Sequence, residues 1–273
     1  MTDEDLNPIC LLTKHNKQIA LSAPLRNVGY KVQTFDQYDT DQLGTFTGEI
    51  PRAGTQLDAA RTKALLACEL SGLRFGLGSE GSFGPDPYLG VSSWNIEVLV
   101  WRDAQEDYDI HAVYQGPDTN YAQTFASTEA DVTNFAAKTG FPEHGLVIGK
   151  PGEPWFRKDL TNVSELLQTV RAPLSLGPVW LETDMRAHRN RRRMTAIARC
   201  AEMLAQKIAS KCPACAKPGF GITKLIPGAR CENCGRKTST PCAQLFSCAT
   251  CGETLEQQIS ATVNAMRCDH CNP

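Results

Sequence analysis

The chain has 273 residues, of which 41% are hydrophobic and 21% charged, and a formal net charge of -2. That length accommodates one core of ~150 to 200 residues plus a smaller appendage. The composition is that of a soluble globular protein, and no apolar run reaches the ~18 residues needed to cross a bilayer.

Chain order begins with an acidic, polar N-terminus that runs into Ile9-Cys10-Leu11-Leu12. It lacks the basic start and long apolar stretch of a secretory signal, so a cytoplasmic protein without membrane partners is expected. Ile9 to Leu12 reads as a first buried strand, followed by the polar turn Thr13-Lys14-His15-Asn16-Lys17. Such a turn, at the carboxyl end of a strand, can offer backbone N-H groups and lysines to phosphate. Residues 57–70 read as a helix with Leu57, Ala60, Ala64, Leu65 and Cys68 on its packed side, closed by Gly72.

Residues 73–77 then read as a strand that ends in a glycine- and serine-rich loop, residues 78–84, with the single acid Glu80 in its middle. A lone carboxylate on a loop that permits close backbone approach can hold a divalent cation. Strands are expected at 96–101, with Ile96, Val98 and Val100 on one face, and at 108–114. Helices follow at 128–138 and 163–171, with short strands at 146–148 and 179–182. The charged run from Leu181 through Glu182, Asp184, Arg186, His188 and Arg189 to Arg193 fits an anion site at a strand-to-helix junction. Arginines sit poorly at a helix N-terminus, which favours an anionic partner for Arg186 and Arg189. The final helix, about 190–210, places Met194, Ile197, Ala201, Leu204 and Ile208 on one stripe. The alternation over residues 1–205 is that of an α/β domain.

Residues 206–273 have a different character. Four CxxC pairs occur there, Cys212/Cys215, Cys231/Cys234, Cys248/Cys251 and Cys268/Cys271. Fifteen residues separate the first two pairs and sixteen the last two. A CxxC turn aims two thiolates at one metal ~2.3 Å away, and a second turn completes a tetrahedron. Two successive four-cysteine zinc ribbons of structural role are the leading expectation; spacing alone does not exclude cross-braced pairing, first pair with third and second with fourth. Four thiolates close the coordination sphere and leave no position for catalytic water. His270, between Cys268 and Cys271, reads as a solvent-facing residue of the turn. From Ala205 onward eight Lys/Arg face four Asp/Glu, a formal +4 that leaves -6 for the rest. Two tetrathiolate zinc sites would bring this tail to neutrality and remove the electrostatic case for a nucleic-acid-binding tail. Cys10, Cys68 and Cys200 lie in apolar-patterned segments as small buried hydrophobes.

Residues 13–17, Gly44-Thr45-Phe46-Thr47, 54–63, 79–85 and 181–190, with the CxxC tail, resemble a bacterial family of unknown function. More distantly, the order of features in residues 9–205 resembles the inosine/xanthosine triphosphate pyrophosphatase superfamily, whose members cleave non-standard nucleoside triphosphates with Mg2+. Thr13, His15 and Lys17 are similar to its Thr-x-Asn-x-x-Lys phosphate loop, in a turn one residue shorter. Ala59-Ala60-Arg61-Thr62-Lys63-Ala64 is similar to its Asn-Ala-x-x-Lys-Ala helix, Ser79-Glu80-Gly81 to its acidic loop, and Ala187-His188-Arg189 to its Ser-His-Arg, with Ala187 for serine. The resemblance implies a mixed-sheet α/β domain and a metal-dependent nucleotide hydrolase. In that reading Glu80 holds Mg2+, with Glu49 or Glu97 as second ligand. Lys14, Lys17, Lys63, Arg186 and Arg189 would serve phosphate, and His188 base or phosphate. The competing expectation is a non-catalytic module that senses a nucleotide-like ligand and docks protein or RNA through the ribbons.

Overall fold

A computed structural model describes residues 3–36, 38 and 54–273. Glu49 and residues 44–47 lie outside them. The chain forms two compact units, Met1–Ala205 and Gln206–Pro273.

The first unit is built on a five-stranded mixed sheet of order β2-β1-β3-β4-β5. Strand β1 (Asn7–Leu12) pairs in parallel with β2 (Tyr30–Phe35) on one side and β3 (Phe75–Pro85) on the other. Strands β4 (Ser93–Asp103) and β5 (Tyr108–Gly116) continue it antiparallel. The crossover through α1 (Gln18–Arg26) leads to one side of β1, and that through α2 (Gln56–Ser71) returns to the other. The order reverses between β1 and β3, a position where open α/β sheets leave a crevice at the carboxyl ends of their strands.

Helix α2 starts in a capping box, Thr55 with Asp58, and stops at the left-handed Gly72. It lies on the sheet face that carries Cys10, Leu12, Val98 and Val100. Its contact with β3 is unusually close. A Cβ on Gly76 would stand 2.1 Å from the Ala64 carbonyl oxygen, and one on Gly78 1.7 Å from that of Ala60. Alanines on the helix and glycines on the strand are two halves of one backbone contact. The opposite face carries α5 (Arg191–Ala209), whose Cys200 thiol donates to the Glu97 and Ala112 carbonyls.

A second sheet, β6-β8-β7 (Gln123–Ala126, Val179–Thr183 and Leu146–Ile148), packs with α3 (Glu129–Thr139) and α4 (Val163–Leu176) around Val132, Phe135, Leu166 and Leu181.

The second unit holds a three-stranded antiparallel sheet, β12-β11-β9 (Thr254–Gln258, Pro241–Ser247 and Gly221–Pro227), and a short parallel pair, β10 (Arg230–Cys231) with β13 (Thr262–Val263). Its apolar cluster is small, Phe220 and Phe246 around three cysteines.

One α-helix and two strands of the first unit have no counterpart in the sequence-based expectation. Helix α1 opens without a side-chain cap and contains Pro24, β2 is an edge strand with mostly outward polar residues, and β6 has four residues. One expectation is corrected: residues 78–84 are not a loop but the interior of β3. Their glycines serve packing. Gly78→Ala should lower stability by about 2–3 kcal/mol, since the added methyl must displace helix backbone. Gly84→Ala, whose methyl would meet nothing within 4 Å, should stay within about 0.5 kcal/mol. Urea unfolding of both variants, followed through the two transition midpoints, measures the difference.

Candidate functional site

Strand β1 pairs with β3 only as far as Leu11 opposite Leu77, and β3 runs on to Pro85. The turn after β1 folds into the space beside that continuing edge. Thr13 is buried and its hydroxyl accepts the His15 backbone N-H at 3.1 Å, while Asn16 adopts a left-handed conformation that turns the chain into α1. Lys14 is exposed and Lys17 points inward. The Lys17 ammonium donates to the Ser79 carbonyl at 3.1 Å and the Ser79 hydroxyl at 3.2 Å.

Lys17 is thus a buried cation whose ammonium is held by two neutral oxygens of Ser79. Burial, with Arg193 and Lys63 nearby, brings its pKa down to about 7, against the opposing pull of Glu80 and Glu97. The folded chain therefore holds this proton less tightly than the unfolded one, and stability rises with pH between about 7 and the ordinary lysine value.

Neighbouring charges are arranged in pairs. Lys63 of α2 forms an ion pair with Glu80, both nearly buried. On the other face Arg193 of α5 pairs with Glu97 at 2.9 Å, with both side chains at 3% exposure or less. Gly81 leaves room for that pair, because a Cβ there would lie 2.3 Å from the Arg193 guanidinium. Strand alternation places Glu80 and Glu97 on opposite faces of the sheet. Each carboxylate is ion-paired, so they do not form the shared cation site anticipated from the sequence.

The connection from β8 to α5 contributes the rest. The turn Ala187–Arg189 brings His188 against His15, ring centroids 4.9 Å apart and stacked. Burial and the neighbouring Lys17, His188, Arg186 and Arg193 bring His15 down to about 3, and burial and Arg186 lower His188 as well. The His15 Nδ1 is buried without a hydrogen-bond partner. Arg186 is committed to Asp184 at 2.7 Å and Asp159 at 2.6 Å; burial works against its charge, but these carboxylates outweigh that and hold it above its ordinary value. Arg189 turns to the Leu160 carbonyl at 2.5 Å and toward Asp159 at 3.7 Å. Thr13, His15, Lys17, Lys63, Glu80, Glu97 and His188 therefore gather around the carboxyl end of β1, while Arg186 and Arg189 are engaged by the adjoining loop. Ser79 and Arg193 complete the cluster. Sequence reasoning did not single them out, because Ser79 lay in a segment read as a loop and Arg193 closed a charged run in which Arg186 and Arg189 were the expected anion partners.

Among the described residues, two groups of His, Cys, Asp or Glu side chains converge closely enough to hold a metal, and both consist of cysteine: Cys212, Cys215, Cys248 and Cys251, and Cys231, Cys234, Cys268 and Cys271. The arrangement is cross-braced, which corrects the expectation of two successive ribbons. Its cause is strand pairing. In the β9–β11 ladder Gly221 stands opposite Ser247, so the first CxxC turn, before β9, meets the third, after β11. The parallel pair β10–β13 does the same for the second and fourth.

Facing sulfurs lie 3.7 Å apart for Cys212–Cys251, Cys215–Cys248 and Cys234–Cys268, and 3.8 Å for Cys231–Cys271. A tetrahedron with ~2.3 Å metal–sulfur bonds has edges of ~3.8 Å, so both clusters can hold zinc. Each first cysteine accepts through its carbonyl a hydrogen bond from the residue after the second cysteine: Ala216, Gly235, Gly252 and Asn272, at 2.8 to 3.1 Å. Backbone N-H groups of Cys271 and His270 bring Cys268 down to about 7. Burial pushes Cys248 up, but N-H groups of Cys251 and Thr250 among others bring it down to about 6. Such thiols give up protons readily to a metal. His270 is exposed and accepts from Arg236 at 3.0 Å, outside the cluster.

A family model described as a domain of unknown function, DUF6671, matches residues 63–273. The chain belongs to this family. The DUF6671 match takes in Lys63, Glu80, Glu97, His188 and all eight clustered cysteines, and starts after the turn at residues 13–17. No curated protein and no solved structure matches the chain. No helix among the described residues is long and apolar enough to cross a membrane.

Cross-bracing makes a stoichiometric prediction. The double substitution of Cys212 and Cys251 to serine disables one cluster and should leave one zinc per chain. Substituting Cys212 and Cys231 touches both clusters and should leave none. Successive ribbons would give the reverse, and elemental analysis of the purified proteins distinguishes them.

Proposed function

We propose that the first unit of this DUF6671 protein binds a nucleotide-like, polyphosphate-bearing ligand in the gap beside β3 at the carboxyl end of β1. In the same reading the second unit carries two structural zinc ions that hold together a segment with little apolar core of its own. The observation that carries the ligand reading is Lys17. A buried ammonium with one carbonyl and one hydroxyl as partners is costly to keep charged, and an incoming anion lowers that cost. The position supports it, since the gap lies at the reversal of strand order. So does the His15–His188 stack, which joins two of the segments that resemble the pyrophosphatase superfamily. The stack contributes polar ring nitrogens that remain neutral at physiological pH.

Hydrolysis with Mg2+ through Glu80 is the finer version of this reading. It requires the Lys63–Glu80 pair to open toward metal, so binding is the property tested first. Titration calorimetry with inorganic pyrophosphate and with nucleoside triphosphates, with and without Mg2+, addresses both. Affinity of the native chain should fall as pH rises through 7, because Lys17 loses its proton. Lys17→Met should bind roughly 10- to 100-fold more weakly at low pH and lose that part of the pH dependence. Absence of binding by every one of these ligands at millimolar concentration would refute the proposal. Pyrophosphate release that requires Mg2+ and disappears in Glu80→Gln would extend it to catalysis.

A further inference from the structure

The face of β3 turned toward α5 presents Ser79, Gly81 and Phe83 at alternate positions. Ser79 receives the Lys17 ammonium, and Gly81 lies against the Arg193–Glu97 pair. Phe83, the next along, is half-buried, with the Arg193 guanidinium 5.4 Å from its ring centroid and the Tyr121 ring 6.0 Å away. This face therefore grades from a buried cation, through a residue without a side chain, to a pair of aromatic rings.

Asn95 stands directly opposite Phe83 on β4, on the same face as Glu97. It is 1% exposed. Neither its amide oxygen nor its amide nitrogen has a hydrogen-bond partner. Native proteins rarely leave both halves of a buried carboxamide unpaired, and an apolar residue of similar size would remove the penalty. The amide of Asn190 shows the contrast: it is bonded to Asn120 at 2.8 Å and caps α5 through Arg193 at 3.0 Å.

We infer that Asn95, Phe83 and Tyr121 form the ring end of the ligand site and decide which ligands it accepts. This rests on the phosphate reading of Lys17. The aromatic rings supply faces on which a planar heterocycle stacks. The Asn95 carboxamide supplies one donor beside one acceptor, the pairing that a nucleobase edge offers in return. A pyrophosphate ion or a sugar phosphate lacks both the plane and the edge, and leaves Asn95 unpaired. Access to Asn95 requires the Phe83 and Tyr121 rings to part, which their partial exposure permits.

The test compares inorganic pyrophosphate with ADP, GDP and UDP on the zinc-loaded 273-residue chain by titration calorimetry, for the native protein, Asn95→Leu and Phe83→Leu. In the native protein at least one nucleoside diphosphate should bind roughly 10- to 100-fold more tightly than pyrophosphate. Asn95→Leu should bring that nucleotide toward the pyrophosphate level while pyrophosphate affinity is unchanged, and should not lower the urea midpoint. Phe83→Leu, a surface-side change, should weaken the nucleotide alone and stands in if Asn95→Leu fails to fold. Equal affinity of the native protein for nucleotides and pyrophosphate overturns the ring site and leaves the Lys17 reading standing. Equal loss of both ligands in the variants assigns these residues to structure and also overturns it. If neither ligand class binds, the phosphate reading falls and this one with it.

Discussion

The backbone of α2 rests on the backbone of β3 at a separation that only glycine allows, and the geometry of the first unit follows from that contact. Gly76 and Gly78 meet the Ala64 and Ala60 carbonyls, so the helix is fixed in register with the strand. Two residues further along the same side, Glu80 comes under Lys63. The odd-numbered residues of β3 are left for the other face, where the turn after β1 and the start of α5 deliver Lys17 and Arg193. A bulkier strand would push α2 outward, separate Lys63 from Glu80 and widen the gap beside β1.

The charges around that gap divide into two kinds. Lys63–Glu80 and Arg193–Glu97 are closed pairs on opposite sides of the sheet, and removal of either partner would strand a buried ion. Their role is to fix β3 and β4 against the helices and to set the local field. Lys17 differs, because neutral oxygens hold it and the charges around it, Arg193, Lys63, Glu80 and Glu97, are committed to one another. The two imidazoles beside it are pushed toward neutrality by burial first and by nearby cations second. The resulting surplus of positive potential is sensitive to what enters the gap, whereas the closed pairs are not.

Much of the molecule was legible from local pattern. The helix that opens at Thr55 and stops at Gly72 carries both boundary signals in its sequence, and the alternation of Ile96, Val98 and Val100 identifies the face of β4 that meets α2. The eight cysteines declared themselves as ligands through the two-residue gap within each pair. Partner choice did not, since spacers of fifteen and sixteen residues fit either pairing, and the decision is made by β9 meeting β11 and β10 meeting β13. Residues 78–84 were misread for a related reason. Glycine lowers strand propensity locally, and its use there depends on a helix whose position no local pattern reveals. Arg193 was hidden in a run of arginines, because its value comes from Glu97, ninety-six positions away in the chain.

The interleaving of the cysteine clusters also bears on how the second unit is made. The first cluster spans 212 to 251 and the second 231 to 271, so the two closed loops overlap like the links of a chain. During synthesis no tetrahedral set exists until Cys251 has emerged, and the second is completed only with Cys271. A break between 235 and 247 would separate each cluster into halves. This part of the molecule has no smaller self-sufficient piece, and its inheritance as a single block, rather than as one module copied twice, is what its architecture permits.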